Sequence, residues 1–216
     1  IASCLVGSEM CIRDRLWRTN LTKADPMAQF TDVDASSWSY PGIRYCVENG
    51  LMSGIGNGLF APQMTTTRAQ MVQILYNLAG DPEVSGTTPF TDLTDDWYQD
   101  AVLWGYQTGV VAGTSATTFE PMTKLSRAMI VKILYTLEGE PAVTGENPFR
   151  DVADNRWYTN AVIWAAENKI VAGIGDGKFD PDGDATREQV AKILYEYAAF
   201  KGCLLYTSPS PRDKRQ

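Results

Sequence analysis

An arginine returns three times along the chain at an interval of about 60 residues, each time directly after a hydroxyl side chain. Arg68, Arg127 and Arg187 each begin a segment with the apolar spacing of a helix. A guanidinium binds a carboxylate through two parallel hydrogen bonds. The first turn of a helix also favours an anion through its dipole and its free N–H groups. These residue types are therefore compatible with a site for an anion, such as a carboxylate, in each copy.

Two other side chains with binding chemistry recur in the same three copies. A Trp indole offers an aromatic face to a sugar ring, and an Asp accepts hydroxyl hydrogen bonds or orients the Arg. Each has a structural alternative: the Trp packs in the core, the Asp caps a turn through backbone N–H groups, and the Arg only pairs with that Asp. The residues are Asp32, Asp92 and Asp151, and Trp38, Trp97 and Trp157.

The spacing between these residues is constant. A glycine lies sixteen residues after each Trp, a Phe twenty-two after it and the Arg thirty after it. We expect the glycine to need a positive φ or a close backbone approach, and the Phe to fill the core. A triplicated module favours multivalent binding over a single asymmetric catalytic centre. These positions are Gly54, Gly113 and Gly173, and Phe60, Phe119 and Phe179.

Each copy is predicted to form a helix, a loop and a second helix. The first helix follows the Trp, and in the first copy Pro41 marks its start. The second begins at a capping box, Thr67 with Gln70 and Thr186 with Gln189, whereas Ser126 lacks a returning partner. Gly80 and Gly139 stop the second helix in the first two copies. We therefore predict a mainly α fold, one compact domain of three tandem repeats.

Composition excludes several classes of function. The chain has a net charge of −7 and no cluster of Lys and Arg, which argues against nucleic-acid binding. No stretch approaches the ~20 apolar residues of a membrane span. The chain has no His, which excludes a Ser-His-Asp triad and a His-ligated zinc. The loops at 173–177 and 180–184 match neither a dinucleotide nor an EF-hand pattern. We expect no cofactor, no metal and no catalysis.

The two ends lie outside the repeat pattern. Segments 1–15 and 203–216 resemble translated sequencing-adapter read-through, and we predict that they are artefacts, with 16–29 as a leader. They hold Cys4, Cys11 and Cys203, so Cys46 is the only cysteine within the repeats. The repeats are predicted at 30–80, 90–139 and 149–202.

Four motifs recur in the three copies: the Phe-x-Asp, the Trp, the Gly…Phe-x-Pro, and the segments Thr67-Arg68-Ala69-Gln70, Ser126-Arg127-Ala128-Met129 and Thr186-Arg187-Glu188-Gln189. Taken together, they resemble the S-layer homology (SLH) family over residues 30–202. The resemblance implies a pseudo-threefold helical domain without catalytic activity. It also implies anchoring outside the cell, at the wall or surface layer, by binding pyruvylated secondary cell-wall polysaccharide, or another peptidoglycan-linked polymer, in grooves between repeats. The Arg, Asp, Trp and Gly residues named above are the expected ligand-binding set.

Two other functions stay open: a structural or protein-interaction repeat that contacts surface-layer neighbours, and the anchor of an exoenzyme whose catalytic domain lies elsewhere. The three copies also differ from one another. Met129 replaces the capping residue of the second copy, Glu188 stands beside Arg187 in the third, and Ser39 follows Trp38 where the other copies have Tyr98 and Tyr158. We therefore expect unequal grooves.

Overall fold

A computed structural model describes residues 25–94 and 96–202 of the chain. In these residues the regular structure consists of six α-helices and two short 3-10 turns, Pro26–Gln29 and Asp96–Tyr98, which confirms the mainly α prediction. Cys4, Cys11, Cys203 and most of the predicted artefact and leader segments lie outside the described residues. The helices are α1 (Tyr40–Glu48), α2 (Arg68–Leu78), α3 (Gln99–Thr108), α4 (Arg127–Leu137), α5 (Thr159–Glu167) and α6 (Arg187–Phe200).

The second helix of each repeat starts where the local sequence signals place it. The Thr67 hydroxyl accepts from the N–H of Gln70, and the Gln70 side chain accepts from the N–H of Thr67. Thr186 and Gln189 form the same box, whereas Ser126 accepts one bond and receives none in return. The predicted capping pattern is therefore confirmed in all three copies.

Helices pair between repeats, because each second helix packs on the first helix of the following repeat. Thus α2 packs on α3, α4 on α5, and α6 returns to α1. An aromatic contact recurs at each junction, with ring centroids 5.6–5.9 Å apart. The contact explains the constant Tyr of the Ile-Leu-Tyr segment and the buried ring on the first helix. The pairs are Tyr76–Trp104, Tyr135–Trp164 and Tyr195–Tyr45.

A ring of three backbone hydrogen bonds lies at the centre of the domain. The N–H of Thr66 donates to the carbonyl of Ala185 (2.9 Å), Leu125 donates to Thr66 (2.8 Å), and Ala185 donates to Leu125 (2.8 Å). All three residues are buried. Since each repeat donates to one neighbour and accepts from the other, the domain has pseudo-threefold symmetry and its last repeat closes on its first.

The constant spacing between Gly and Phe in the three repeats reflects the packing of one loop. Phe60, Phe119 and Phe179 are fully buried, as predicted. A Cβ on Gly54 would lie 2.7 Å from both the Phe30 ring and the carbonyl oxygen of Leu59. Gly113 and Gly173 are crowded in the same way, and none of the three has a positive φ among the described residues. The close approach, not the torsion angle, explains the glycine.

Candidate functional site

Each repeated arginine reaches from its own repeat into the loop of the next. Arg68 donates from Nε to the carbonyl of Phe119 (2.9 Å) and from Nη2 to that of Ala112 (2.8 Å). Its guanidinium also lies 4.6 Å from the centre of the Phe119 ring. The other two make the same contacts, Arg127 with Phe179 and Ala172, and Arg187 with Phe60 and Ser53.

The repeated aspartates hold the other side of the same loop. The carboxylate of Asp32 accepts from the N–H of Phe60 (2.8 Å) and of Ala61 (2.7 Å). Asp92 and Asp151 bond the matching residues of their own repeats. Burial raises the pKa of the Asp92 and Asp151 carboxyls, but the backbone N–H bonds outweigh it, so each pKa lies below its usual value. The loop-capping alternative for the Asp is the one observed.

The N-termini of the second helices are not open to an anion through their first N–H groups. The N–H groups of Arg68 and Ala69 donate to the carbonyls of Thr123 and Pro121, at 3.0 and 2.9 Å. The first two N–H groups of α4 and α6 are bound in the same way by the neighbouring repeat, and the third bonds the capping hydroxyl. The prediction of free N–H groups here is therefore wrong. Carbonyls of the adjacent loop take the place of the anion.

Burial sets the electrostatics of the three guanidinium groups. Arg127 and Arg187 are each only 6% exposed, whereas Arg68 is half-buried. Desolvation lowers the pKa of each guanidinium, and nearby carboxylates such as Asp92 near Arg68 oppose the shift. An Arg has five N–H donors, so the two bonds to carbonyls leave others for a ligand that reaches the junction. The observed contacts tie neighbouring repeats together.

The three repeated tryptophans lie at the surface, not in the core. Trp38, Trp97 and Trp157 are 56%, 51% and 54% exposed. The indoles of Trp97 and Trp157 rest edge-on against buried Tyr98 and Tyr158, with ring centroids 4.9 and 5.1 Å apart. A half-exposed indole that a buried ring holds in place is suited to stacking on a sugar ring.

A groove of about 960 Å³ lies between the second and third repeats and contains Trp157. Lys132 and Tyr135 of α4 line one wall, and Lys132 forms an ion pair with Glu140 at 2.6 Å. Arg156 on the other wall takes part in none of the ion pairs found among the described residues. We call this the repeat 2–3 groove. Its lining residues include Lys132, Tyr135, Glu140, Arg156, Trp157 and Asn160.

Sequence reasoning missed Lys132, Arg156 and Asn160. Comparison of the three copies selects residues that stay constant, and these three positions change from copy to copy: Lys132 corresponds to Gln73 and Lys192. Constant residues build the loops and junctions, whereas the groove is lined by constant residues such as Trp157 together with varying ones. The useful signal is a polar or charged residue that varies beside a constant Trp.

A second cavity, of about 430 Å³, lies where the third repeat meets the first. We call it the repeat 3–1 pocket. Glu188, at the start of α6, accepts from the Ser39 hydroxyl at 2.9 Å and from the Gln63 side chain at 2.5 Å. The two cavities therefore differ in chemistry, as the unequal motif copies predict.

Two absences hold for residues 25–94 and 96–202, the part of the chain that the structure describes. No group of three or more His, Cys, Asp and Glu side chains is arranged to hold a metal ion. None of the helices is both long and apolar enough to cross a membrane.

Residues 29–72, 89–128 and 148–191 match the family model of the S-layer homology domain. The chain belongs to the S-layer homology family. SLH domains are non-catalytic modules that bind cell-wall polymers and anchor proteins to the cell surface, and they occur in both S-layer proteins and exoenzymes. A cell-surface location follows for this chain.

The SLH repeats are similar to those of much longer proteins. An endoglucanase of Bacillus sp. (strain KSM-635) is 30% identical over 82% of this chain and 19% of its own length. The S-layer protein sap of Bacillus anthracis is 28% identical over 76% of the chain and 20% of its own. The surface-layer 125 kDa protein of Lysinibacillus sphaericus is 30% identical over 77% and 15%. The chain thus spans about a fifth or less of these relatives.

Proposed function

We propose that this SLH domain anchors a larger protein by binding secondary cell-wall polysaccharide, with the exposed indoles as sugar platforms. The supporting observation is the position of Trp157 in the repeat 2–3 groove. Its indole is half exposed and contacts the ring of Tyr158, and Arg156 and Lys132 line the same groove. An aromatic face beside cationic donors suits an anionic saccharide.

A pyruvylated sugar is the ligand that this chemistry favours. Its ketal carboxylate gives Arg156 a planar partner for two parallel hydrogen bonds, and its ring stacks on Trp157. Trp38 and Trp97 offer the same platform in the other two repeats. The net charge of −7 opposes an anionic polymer at long range, so we expect association to be slow and binding to depend on local contacts.

The other predicted ligand residues enter this proposal as residues that position the platforms. Arg68, Arg127 and Arg187 hold each loop against the neighbouring repeat from the carbonyl side. Asp32, Asp92 and Asp151 hold it from the N–H side. Gly54, Gly113 and Gly173 leave room for the rings of Phe30, Phe90 and Phe149, respectively, against this loop. Direct contact between these Arg side chains and the polymer remains part of the proposal, through their remaining donors.

Retention on purified cell walls tests the function. The chain is pelleted with wall polymer before and after chemical removal of pyruvate, and with Trp157→Ala. We expect loss of pyruvate and loss of the indole each to release the domain. Ile174→Ala is the matched control, because Ile174 is also 54% exposed but lies on the glycine loop of the third repeat, outside the residues that line the groove. Equal retention of the wild type and Trp157→Ala would contradict the platform.

The anchored protein is an exoenzyme or a surface-layer protein in this proposal. Both occur among the relatives, as the Bacillus endoglucanase and the Lysinibacillus surface-layer protein illustrate. Lateral contact with surface-layer neighbours is a second candidate, favoured by the exposed side chains of Ile55 and Ile174 at the tips of two loops. Self-association that Ile55→Ser and Ile174→Ser abolish, without loss of wall retention, would support it.

A further inference from the structure

The repeat 3–1 pocket exists where two residues are exchanged relative to the other junctions. Position by position, Ser39 and Glu188 correspond to Tyr98 and Ala69 at one junction and to Tyr158 and Ala128 at the other. Tyr98 is fully buried and Tyr158 is 4% exposed, so each ring fills its junction. At the third junction the smaller Ser39 and the longer Glu188 both line the cavity, and the Glu188 carboxylate accepts from the Ser39 hydroxyl.

Glu188 is a buried carboxylate without a cationic partner among the described residues. Its residue is 8% exposed, and its two hydrogen-bond donors, Ser39 and Gln63, are neutral. The guanidinium of adjacent Arg187 is directed instead at the carbonyls of Phe60 and Ser53. Buried Glu residues are normally paired with a positive charge. A carboxylate also has about four acceptor positions, so two bonds leave Glu188 able to accept more.

The rest of the lining favours the same kind of occupant. Asp32, Asp34 and Glu188 contribute carboxylates, Ser37 and Ser39 contribute hydroxyls, and the lining contains no Lys or Arg. A carboxylate or phosphate would meet like charge without a counter-ion. A donor with positive charge would find acceptors on several sides.

We propose that the repeat 3–1 pocket binds the primary ammonium group of an amino sugar through Glu188. The ammonium carries three donors and the charge that the buried carboxylate lacks. A cavity of about 430 Å³ lies within the range of ~300–1,000 Å³ that is usual for small-molecule sites. The proposal rests on the proposed function only in taking this sugar from the wall polymer. It makes the pocket a second, chemically opposite subsite to the repeat 2–3 groove.

The test is a titration of the full chain with glucosamine, N-acetylglucosamine and glucose, followed by heteronuclear NMR. We expect glucosamine alone to shift the amide resonances of residues around Ser39 and Glu188. Glu188→Gln keeps the shape and removes the charge, and is expected to weaken glucosamine binding by about tenfold or more. Glu196→Gln is the matched control and leaves glucosamine binding unchanged, because Glu196 lies on the same helix, pairs with Lys192 and lines neither cavity. Equal shifts with the three sugars, or unchanged affinity in Glu188→Gln, would overturn the proposal.

A second variant tests the pocket by filling it. Ser39→Tyr with Glu188→Ala installs the pair of the other two junctions, so we expect a folded helical domain that no longer responds to glucosamine. Titration with potassium and magnesium chloride separates ammonium binding from general cation binding; equal shifts with either salt would overturn the assignment. Wall retention is measured in parallel. Retention without a glucosamine response removes this proposal alone, whereas a glucosamine response without retention removes the wall-anchoring proposal and keeps the pocket.

Discussion

Arg187 and Phe60, 127 residues apart in sequence, form the contact that closes the domain. Nε of Arg187 donates to the backbone carbonyl of Phe60 at 2.9 Å, and its guanidinium lies 4.5 Å from the centre of the Phe60 ring. Asp32 binds the N–H of the same residue. One buried Phe is thus held on both sides of its backbone, once by its own repeat and once by the last.

Arg187→Ala is expected to destabilise the fold before it affects any ligand. The substitution leaves the carbonyls of Phe60 and Ser53 without a donor and removes the ring contact, which costs about 2–4 kcal/mol. Urea unfolding followed by circular dichroism measures the loss. Arg187→Lys keeps the charge without the planar fork and is expected to restore only part of the stability.

The outcome separates the structural role of this Arg from a ligand-binding one. Exposed Arg150 provides a control, and Arg150→Ala is expected to leave the free energy of unfolding unchanged within about 0.5 kcal/mol. If Arg187→Ala kept the wild-type stability but lost wall retention, the residue would be a ligand contact and the closing role would be wrong.

Acid is expected to destabilise the domain through its loop-capping aspartates. The pKa values of Asp92 and Asp151 lie below their ordinary value in the folded chain. Their contribution is therefore fully present above the unfolded pKa of about 3.9 and is lost as the pH falls through the lower folded values. Measurement of the free energy of unfolding between pH 6 and pH 2 gives its slope against pH. Asp92→Asn and Asp151→Asn are expected to flatten it, and an unchanged slope would contradict the assignment.

Gly42→Ala is expected to destabilise the junction between α1 and α6. A Cβ on Gly42 would lie 2.9 Å from the backbone of Ala191 and of Lys192, where neither partner can rotate away. Overpacking of this kind costs about 1–3 kcal/mol, more than the gain in helix propensity. The corresponding positions are already alanine, Ala101 and Ala161, so the effect belongs to this junction alone. Thermal unfolding checks it, and a rise in melting temperature would refute the close approach.

The elements that sequence predicted well depend on local signals. The capping boxes at Thr67 and Thr186, the end of α2 before Gly80 and the burial of Phe60 are each encoded within a few residues or by a constant spacing. The partners of Arg187 were not predictable in the same way, because they belong to a repeat at the other end of the chain. Neighbouring repeats also supply the carbonyls that occupy the helix N-termini, which the sequence of a single repeat cannot reveal.

The candidate grooves show the same division. The constant Trp marked the surface, but pattern alone could not decide between the core and a platform, since a large apolar ring suits both. Lys132 and Arg156 vary between copies and so escaped a search for constancy. The sequence shows Ser39 and Glu188 where the other copies have Tyr and Ala. The consequence of this difference required knowing that the two positions meet across a junction.

Removal of the third repeat is expected to disrupt the first. A chain that ends at residue 139 lacks α6, which covers buried Ile43 and Cys46 of α1, and it opens the central ring at Thr66. We expect such a chain to self-associate and to unfold without a sharp transition, as measured by sedimentation and thermal circular dichroism.

A permuted chain places residues 30–80 after residue 202, through a linker like 81–89. It restores every junction between repeats and lacks only the covalent connection between the first repeat and the second. Because closure is cyclic, the permuted chain is expected to be monomeric and to melt cooperatively, and a truncated chain that behaved identically would show that closure contributes nothing.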